Sequence, residues 1–540
     1  MTVSGLATRQ PAHLVRDPSR VITRLYVPGH EVAGGSEGRA SAVVGHILTL
    51  SDQQVREALA ELVTRFAHRH RDLAGTFRHH ADRIGNRLDP ASDLSDERRL
   101  LLGATFTLEY SVEAAALCNP CAVIHPDQTG VPDGSLRFIM SVRAIGEGHR
   151  SSIGFRTGLV DRAGIVSVDE PSRFTTAGVI GGSPLDTEAF RDLTRRLDND
   201  REATGWVLDG LGPTFTIGEL DVRLAEFETQ RDTRRNVGAT VRRLRELAVR
   251  AYNVQFSATS ELTERVLYPA TAAESNGMED ARFVRFVDDD GTVTYFATYT
   301  AYDGTAINGQ LLRTTDFRSF DVSPLLGAAA ANKGVAIFPR RFDGRFAALT
   351  RHDGTSNAIA FSDNVSHWPN VAALPCPTET WEAVQIGNCG SPIETDQGWV
   401  VITHGVGPMR TYSLGAWLLD LDDPTKVIGR TRRPLLAPRP EEQDGYVPNV
   451  VYSCGALLHN ESLLIPFGIG DASVGFATVV LSELLAELRD TDEHHVASPT
   501  KEGSMPDKSP QKPSTKKVGK SLKDKRVDKK TKKAGKRTLI

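Results

Sequence analysis

The stretch Glu274-Ser275-Asn276-Gly277-Met278-Glu279-Asp280-Ala281-Arg282 holds the residue types best suited to acid–base chemistry in this chain. A small flexible turn, Ser275-Asn276-Gly277, is followed by two adjacent carboxylates and an arginine. Strand-like sequence comes next, Phe283 to Phe286 and then Tyr295 to Tyr302. An acid at the lip of a β-sheet, with a cation two residues on, presents a proton donor to a bound substrate. A solvated acidic turn would carry the same residues, so the rest of the chain decides between the two.

Three further segments carry chemistry-bearing side chains. Arg137-Phe138-Ile139-Met140-Ser141-Val142-Arg143-Ala144 reads as a strand ending in arginine, with Asn119-Pro120 upstream. Gln385-Ile386-Gly387-Asn388-Cys389-Gly390-Ser391-Pro392-Ile393 leads into the apolar run Trp399 to Val406, which contains His404. Gly445-Tyr446-Val447-Pro448-Asn449-Val450-Val451-Tyr452-Ser453-Cys454-Gly455 is followed by Asp471.

Short strands must position these residues. From about 105 to 170 the pattern alternates, as in Phe138, Met140 and Val142 after the turn Pro132-Asp133-Gly134. From about 256 to 480 strands recur, among them Val335 to Phe338, Phe346 to Thr350, Trp399 to His404, Leu414 to Leu419, Leu463 to Phe467 and Phe476 to Val480. Asp290-Gly291, Asp343-Gly344, Asp353-Gly354 and Gln397-Gly398 punctuate them with tight-turn chemistry. So many short antiparallel strands indicate a propeller or a large sandwich, and a helix from Leu481 to Leu488 closes the region.

Helices flank and interrupt the strands. Ser51-Asp52-Gln53-Gln54 has the form of a capping box, and Val55, Leu59, Leu62, Phe66, Leu73 and Phe77 follow at helical spacing, predicting one or two helices over 51–82. His68, His70, His79 and His80 share this region with many arginines; with no carboxylate or cysteine to complete a ligand set, they read as a basic helix face. A second helical stretch, about 186–252, includes Leu220, Leu224 and Phe227, then Val241, Leu244 and Leu247.

The 540 residues suffice for more than one domain or one large all-β unit. No apolar run approaches the roughly 18 residues of a membrane span. Five cysteines (118, 121, 376, 389 and 454) and no basic-then-apolar start over Met1 to Arg20 suit a reducing, cytoplasmic compartment. Cys118-Asn119-Pro120-Cys121 lacks the second pair a zinc site needs, so no metal is expected there. The net charge of −4 conceals an asymmetry: residues 501–540 hold 15 Lys or Arg and 4 Asp or Glu, a net of +11, which leaves −15 on the rest. That composition cannot bury enough apolar surface to fold; it fits a solvated tail or one attracted to a polyanion.

Taken together, Glu279-Asp280-Ala281-Arg282 and the three segments resemble glycoside hydrolase family 130, the mannoside phosphorylases and β-mannosidases. The resemblance extends through Tyr412-Ser413-Leu414-Gly415-Ala416-Trp417 to Asp422-Asp423-Pro424 and on to Lys426-Val427-Ile428-Gly429-Arg430, and covers roughly residues 115–165 and 260–480. It implies a mainly β fold, a five-bladed β-propeller with its site at one end of the central channel. The expected organisation is an N-terminal helical extension over 1–110, the propeller over 111–490 with a helical insertion at about 186–252, and a disordered basic tail over 491–540. The extension and insertion then serve either as homo-oligomer contacts or as walls of the substrate cleft.

The resemblance also implies an inverting enzyme acting on β-mannosides, with Asp280 as proton donor, directly or through a sugar hydroxyl. In a phosphorylase, inorganic phosphate is the nucleophile and mannose 1-phosphate the product; no other cofactor is implied. A site for that dianion needs cations and donors, and the resemblance places Arg143, Arg351, His404 and Tyr412 there. Asn119, Arg282 and Asp471 are implied as substrate ligands. The chain departs from the family at Ala281, where proline is usual, and at Gln385, where the phosphorylases place lysine. Arg410 could replace that charge; otherwise water is the acceptor, the protein a β-mannosidase, and the base one of Glu382, Glu394, Glu442 or Asp444. A non-catalytic sugar-binding propeller is the more distant alternative.

Overall fold

In a computed structural model of the protein, the described residues are 3–28, 38–84, 94–181, 184–195, 201–229 and 237–493; the basic tail lies outside them. The protein is mainly β. Along the chain the strands gather into five antiparallel groups. The first is Ala116–Ile124, Leu136–Ile145 and Ser151–Val160. The second is Gly277–Val287, Val293–Tyr302, Ile307–Thr314 and Ser319–Pro324. The third is Ala336–Ile337, Phe346–Thr350, Ala358–Ser362 and Ala372–Ala373. The fourth is Gln385–Asn388, Gly398–Val406, Tyr412–Leu419 and Val427–Arg430. The fifth is Val451–Tyr452, Ser462–Ile469 and Ser473–Val480.

Each group buries a face against the next. Phe155 of the first group packs with Phe283, Phe317 and Phe320 of the second. Phe286 and Phe296 meet Phe346 of the third. Leu349 and Ile359 of the third share a core with Trp399 and Trp417 of the fourth. Val400 and Leu418 then join Ile465 and Phe467 of the fifth, and Leu464 and Phe476 of the fifth return to Phe138 and Val142 of the first. Each such large side chain contributes about 1.5–3 kcal/mol through burial, so the strands lie where their apolar faces find a partner.

The helical stretches form cores of their own. Gly38–Thr49, Asp52–Phe66, Leu73–Ile84 and Asp96–Thr105 pack around Val44, Val55, Leu102 and Phe106. Thr187–Arg195, Arg201–Asp209, Ile217–Glu228 and Val237–Val249 pack around Phe215, Leu224, Phe227 and Leu244. The Ser51–Gln54 capping box is formed, as is one at Thr216–Glu219.

Two expectations need correction. The first residues are not helical: Ala7–Val15 pairs with Ser473–Val480, and Val21–Leu25 pairs with Thr107–Ser111. The Ala7–Val15 partner is more than 450 residues away, so no local signal marks the pairing. The four histidines do not share one exposed face either: His80 is buried against Thr107 and His70 bonds Glu109 at 2.7 Å.

Candidate active site

The acidic block lies inside a strand, not in a turn before one. Glu279 to Arg282 belong to Gly277–Val287, and pairing to Val293–Tyr302 slips between Glu279 and Arg282. Asp280 takes the left-handed conformation there, φ 58°. A bulge re-aims one side chain without ending the strand; here it releases Asp280 from the alternation of its neighbours. The approach to this strand is braced by buried Glu274, whose carboxylate accepts from the hydroxyls of Tyr252 and Tyr299 and from the amides of Ala270 and Thr271.

Ala116–Ile124 carries a matching irregularity. Its register breaks between Cys118 and Cys121, and Asn119 is left-handed, φ 49°. Asn119 Nδ2 donates to Asp280 Oδ1 at 2.6 Å. Beside this contact the Phe283 amide donates to Cys121 Sγ at 3.3 Å. Cys121 therefore helps fasten two bulged strands. The Cys118 and Cys121 thiols are both buried and free, and burial pushes Cys121 up to about 12.

A charge cluster surrounds Asp280. Glu279 accepts from Arg143 Nη2 at 2.6 Å and from Lys333 Nζ at 2.8 Å. Arg143 Nη1 stands 3.5 Å from Asp280 Oδ1. Burial works to raise the Asp280 pKa, but the charges of Arg143, Lys333 and Arg282 and the Asn119 amide outweigh it and hold it at about 2. Arg282 lies underneath, bonded to Tyr452 Oη at 2.7 Å and to the Asp280 carbonyl at 3.3 Å.

The opposite wall comes from the third, fourth and fifth groups. Arg351 Nη1 and His404 Nε2 are 2.8 Å apart. A guanidinium can only donate, so His404 accepts at Nε2 and carries its proton on Nδ1. Burial, then the charges of Arg351 and Arg282, drive its pKa well below the usual range and keep the ring neutral. With its amide oxygen turned to Arg351, Gln385 accepts from Nη1 and donates to the Gly354 carbonyl at 3.3 Å. A lysine in that place would set a like charge against Arg351. A Cβ on Gly387 would come within 2.5 Å of the His404 ring, so the approach of Arg351 and His404 depends on that glycine. The Tyr412 ring lies parallel to His404 at 6.3 Å.

These walls enclose a cavity of about 280 Å³ lined by Asn119, Arg143, Asp280, Lys333, Arg351, Gln385, His404, Arg410, Tyr412, Tyr452 and Asp471, with Val447 and Val450. Seven of the eight residues expected at a site line it; Arg282 does not, acting instead on Asp280 and Tyr452 from below. Burial first of all raises the Asp471 carboxyl to about 6, with the Asp280 charge adding to it. One cavity therefore holds one carboxyl forced to ionise and another that holds its proton more readily. Lys333 was missed by sequence reasoning, because Asn332-Lys333-Gly334 looks like an ordinary loop and its pairing with Glu279 spans 54 positions. Tyr452 was visible within its block, without a role. None of Glu382, Glu394, Glu442 and Asp444 lines the cavity: Glu382 caps Thr378 and Glu379, Glu394 pairs with Arg340, and Glu442 pairs with Arg9. Among the described residues no group of three His, Cys, Asp or Glu is arranged to hold a metal ion, and no helix is long and apolar enough to cross a membrane.

Comparison with known proteins matches residues 249–490 to a family model described as beta-1,4-mannooligosaccharide phosphorylase. The chain is 32% identical over 228 residues to a 1,2-beta-oligomannan phosphorylase of Thermoanaerobacter sp. (strain X514), covering 41% of this chain and 75% of that one. It is 34% identical over 224 residues to a Beta-1,2-mannobiose phosphorylase of the same organism, covering 40% and 70%. Among solved structures, a Beta-1,2-Mannobiose phosphorylase from Listeria innocua in complex with beta-1,2-mannobiose aligns with a TM-score of 0.43 at 18% identity, over 75% of this chain and 96% of that one. The matched span carries Asp280 with Arg351, His404, Tyr412 and Asp471, and on this ground the chain belongs to glycoside hydrolase family 130.

Proposed function

We propose that the protein is an inverting phosphorylase that transfers the mannosyl group of a β-mannoside to inorganic phosphate. A phosphate oxygen attacks C1, the C1–O bond breaks, and the departing oxygen takes a proton. Inversion makes the product an α-mannose 1-phosphate. The observation that carries the reading is one cavity with a carboxyl, Asp280, on one wall and cations spread around the rest: Arg143, Lys333, Arg351 and Arg410. That number of cations suits a dianion better than water. The names of the relatives support the same choice over hydrolysis.

The geometry supports the following roles. Arg351, His404 and Tyr412 hold phosphate, with Arg143 between it and Asp280. Gln385 aims Arg351 in place of contributing a charge. Asn119 and Asp471 bind sugar hydroxyls. Asp280, held at about 2 by the surrounding cations and the Asn119 amide, is ionised at neutral pH. Phosphate beside Arg143 and Lys333 offsets their pull and lets Asp280 take the proton it delivers, directly or through a sugar hydroxyl.

The five strand groups, each packed on the next and the fifth on the first, support a five-bladed propeller over 111–490, closed by Ala7–Val15, with helical additions before and within it. A cytoplasmic location fits the free cysteines. The test is to incubate the protein with β-1,2- and β-1,4-mannobiose, with and without phosphate. Phosphate-dependent mannose 1-phosphate is the expected product; equal release of free mannose without phosphate would sink the reading.

A further inference from the structure

Three hairpin tips near the cavity share one backbone device. Between Gly398–Val406 and Tyr412–Leu419, Met409 and Arg410 are both left-handed, at φ 56° and 55°. Between Ser462–Ile469 and Ser473–Val480, Gly470 and Asp471 are left-handed at 57° and 48°. Between Leu136–Ile145 and Ser151–Val160, Gly148 and His149 are left-handed at 67° and 59°. In the first two, the second left-handed residue, Arg410 or Asp471, lines the cavity. His149 holds that position in the third.

The first and third tips match more closely. The Gly407 amide donates to the Thr411 carbonyl at 3.0 Å, and the Gly146 amide to the Arg150 carbonyl at 3.0 Å. His404 and Arg143, each three residues before that glycine, both line the cavity. Two residues after the left-handed pair stand Tyr412, which lines the cavity, and Ser151, whose hydroxyl accepts from Arg143 Nε at 2.9 Å. Non-glycine residues in this conformation are strained, and such strain gathers at functional sites.

His149 is not among the lining residues. Its Nδ1 lies 2.7 Å from Tyr446 Oη, with ring centroids 5.7 Å apart. Tyr446 immediately precedes Val447, which lines the cavity, and is 42% exposed. An open tyrosine ring is thus pinned across two chain segments beside the cavity. The cation next to His149 in the chain is engaged elsewhere: Arg150 Nε donates to the Ser275 carbonyl and Nη1 to Tyr268 Oη. The spot therefore suits a neutral ring with an apolar face and hydroxyls at its edge, not a second anion.

We propose that Tyr446 and His149 form an outer sugar subsite, which takes the pyranose ring beyond the two joined by the bond that breaks. The ring's C–H face packs on the Tyr446 phenol, and the His149 imidazole reaches a hydroxyl at its edge. The proposal rests on the phosphorylase reading and extends it to oligosaccharides longer than two sugars.

The test compares phosphorolysis of a β-mannobiose and the β-mannotriose of the same linkage by the full-length protein and by Tyr446→Ala. The expected result is a fall of about tenfold in the trisaccharide-to-disaccharide ratio of kcat/KM. Tyr446→Phe, which keeps the ring, should recover most of that ratio. An unchanged ratio in Tyr446→Ala would overturn the subsite. If the native protein turns over neither sugar, the phosphorylase reading fails separately. Calorimetric binding of the trisaccharide then decides: weaker binding by Tyr446→Ala supports the subsite, and equal binding overturns it.

Discussion

Asn119 and Asp280 face each other from two bulged strands, each in the left-handed conformation, joined by a bond of 2.6 Å from amide to carboxylate. The pairing ties the proposed proton donor to a second strand group and leaves its carboxylate facing the cavity. Asp280→Asn should lower kcat by roughly 10²–10⁴-fold while circular dichroism stays native. Asn119→Gly keeps the backbone angle and removes the amide. It should lower kcat by about tenfold and move the alkaline limb of the pH–rate profile upward, because one donor to the ionised form is gone and the acid keeps its proton to higher pH. Full activity in Asp280→Asn would remove it from the chemistry.

The Asp471 carboxyl is raised from 3.8 to about 6 on folding. The native state therefore binds its proton more tightly than the unfolded chain does. That contribution to stability is fully present below about pH 4 and is lost as pH rises through about 6. Asp471→Asn, neutral throughout, should be more stable than the native protein at pH 7 by about 3 kcal/mol, with the advantage gone near pH 4. Urea unfolding at the two pH values measures this. The same substitution should weaken sugar binding, so stability and activity should move in opposite directions.

Phosphate should protect the native fold, since a ligand that binds only the folded state stabilises it, by about 2.7 kcal/mol at a hundredfold excess over Kd. Arg351→Ala should abolish most of the thermal shift, and Gln385→Ala should reduce it by releasing Arg351 from its aimed position. An equal shift in Arg351→Ala would place phosphate elsewhere.

Glu274 gathers two tyrosine hydroxyls and two amides around one carboxylate that is fully buried. Glu274→Ala leaves those donors without a partner and should cost about 3 kcal/mol, read as a lower urea midpoint. It should also lower kcat, because the approach to Asp280 loses its brace.

Deletion of residues 501–540, which carry a net charge of +11, should leave turnover of small substrates unchanged and weaken retention on a polyanion column. A loss of turnover would assign the segment a part in the enzyme.

The family blocks, and with them Asp280, Arg143, His404, Tyr412, Asn119 and Asp471, were legible because residue types at fixed spacing survive as sequence. Helices were legible where local periodicity and capping set them, as over Asp52–Phe66. Other features depended on contacts between distant positions. Ala7–Val15 is a strand because Ser473–Val480 has a free edge. Lys333 belongs to the site because Glu279 accepts from it. Arg282 leaves the cavity wall because the bulge at Asp280 changes which way the side chains after it point. The sequence by itself determined which groups are present to act, since that is a matter of composition and order. Tertiary structure decided which carboxyl is ionised, which arginine is aimed and by what, because burial and charge–charge distance exist only once strands far apart in the chain are packed together.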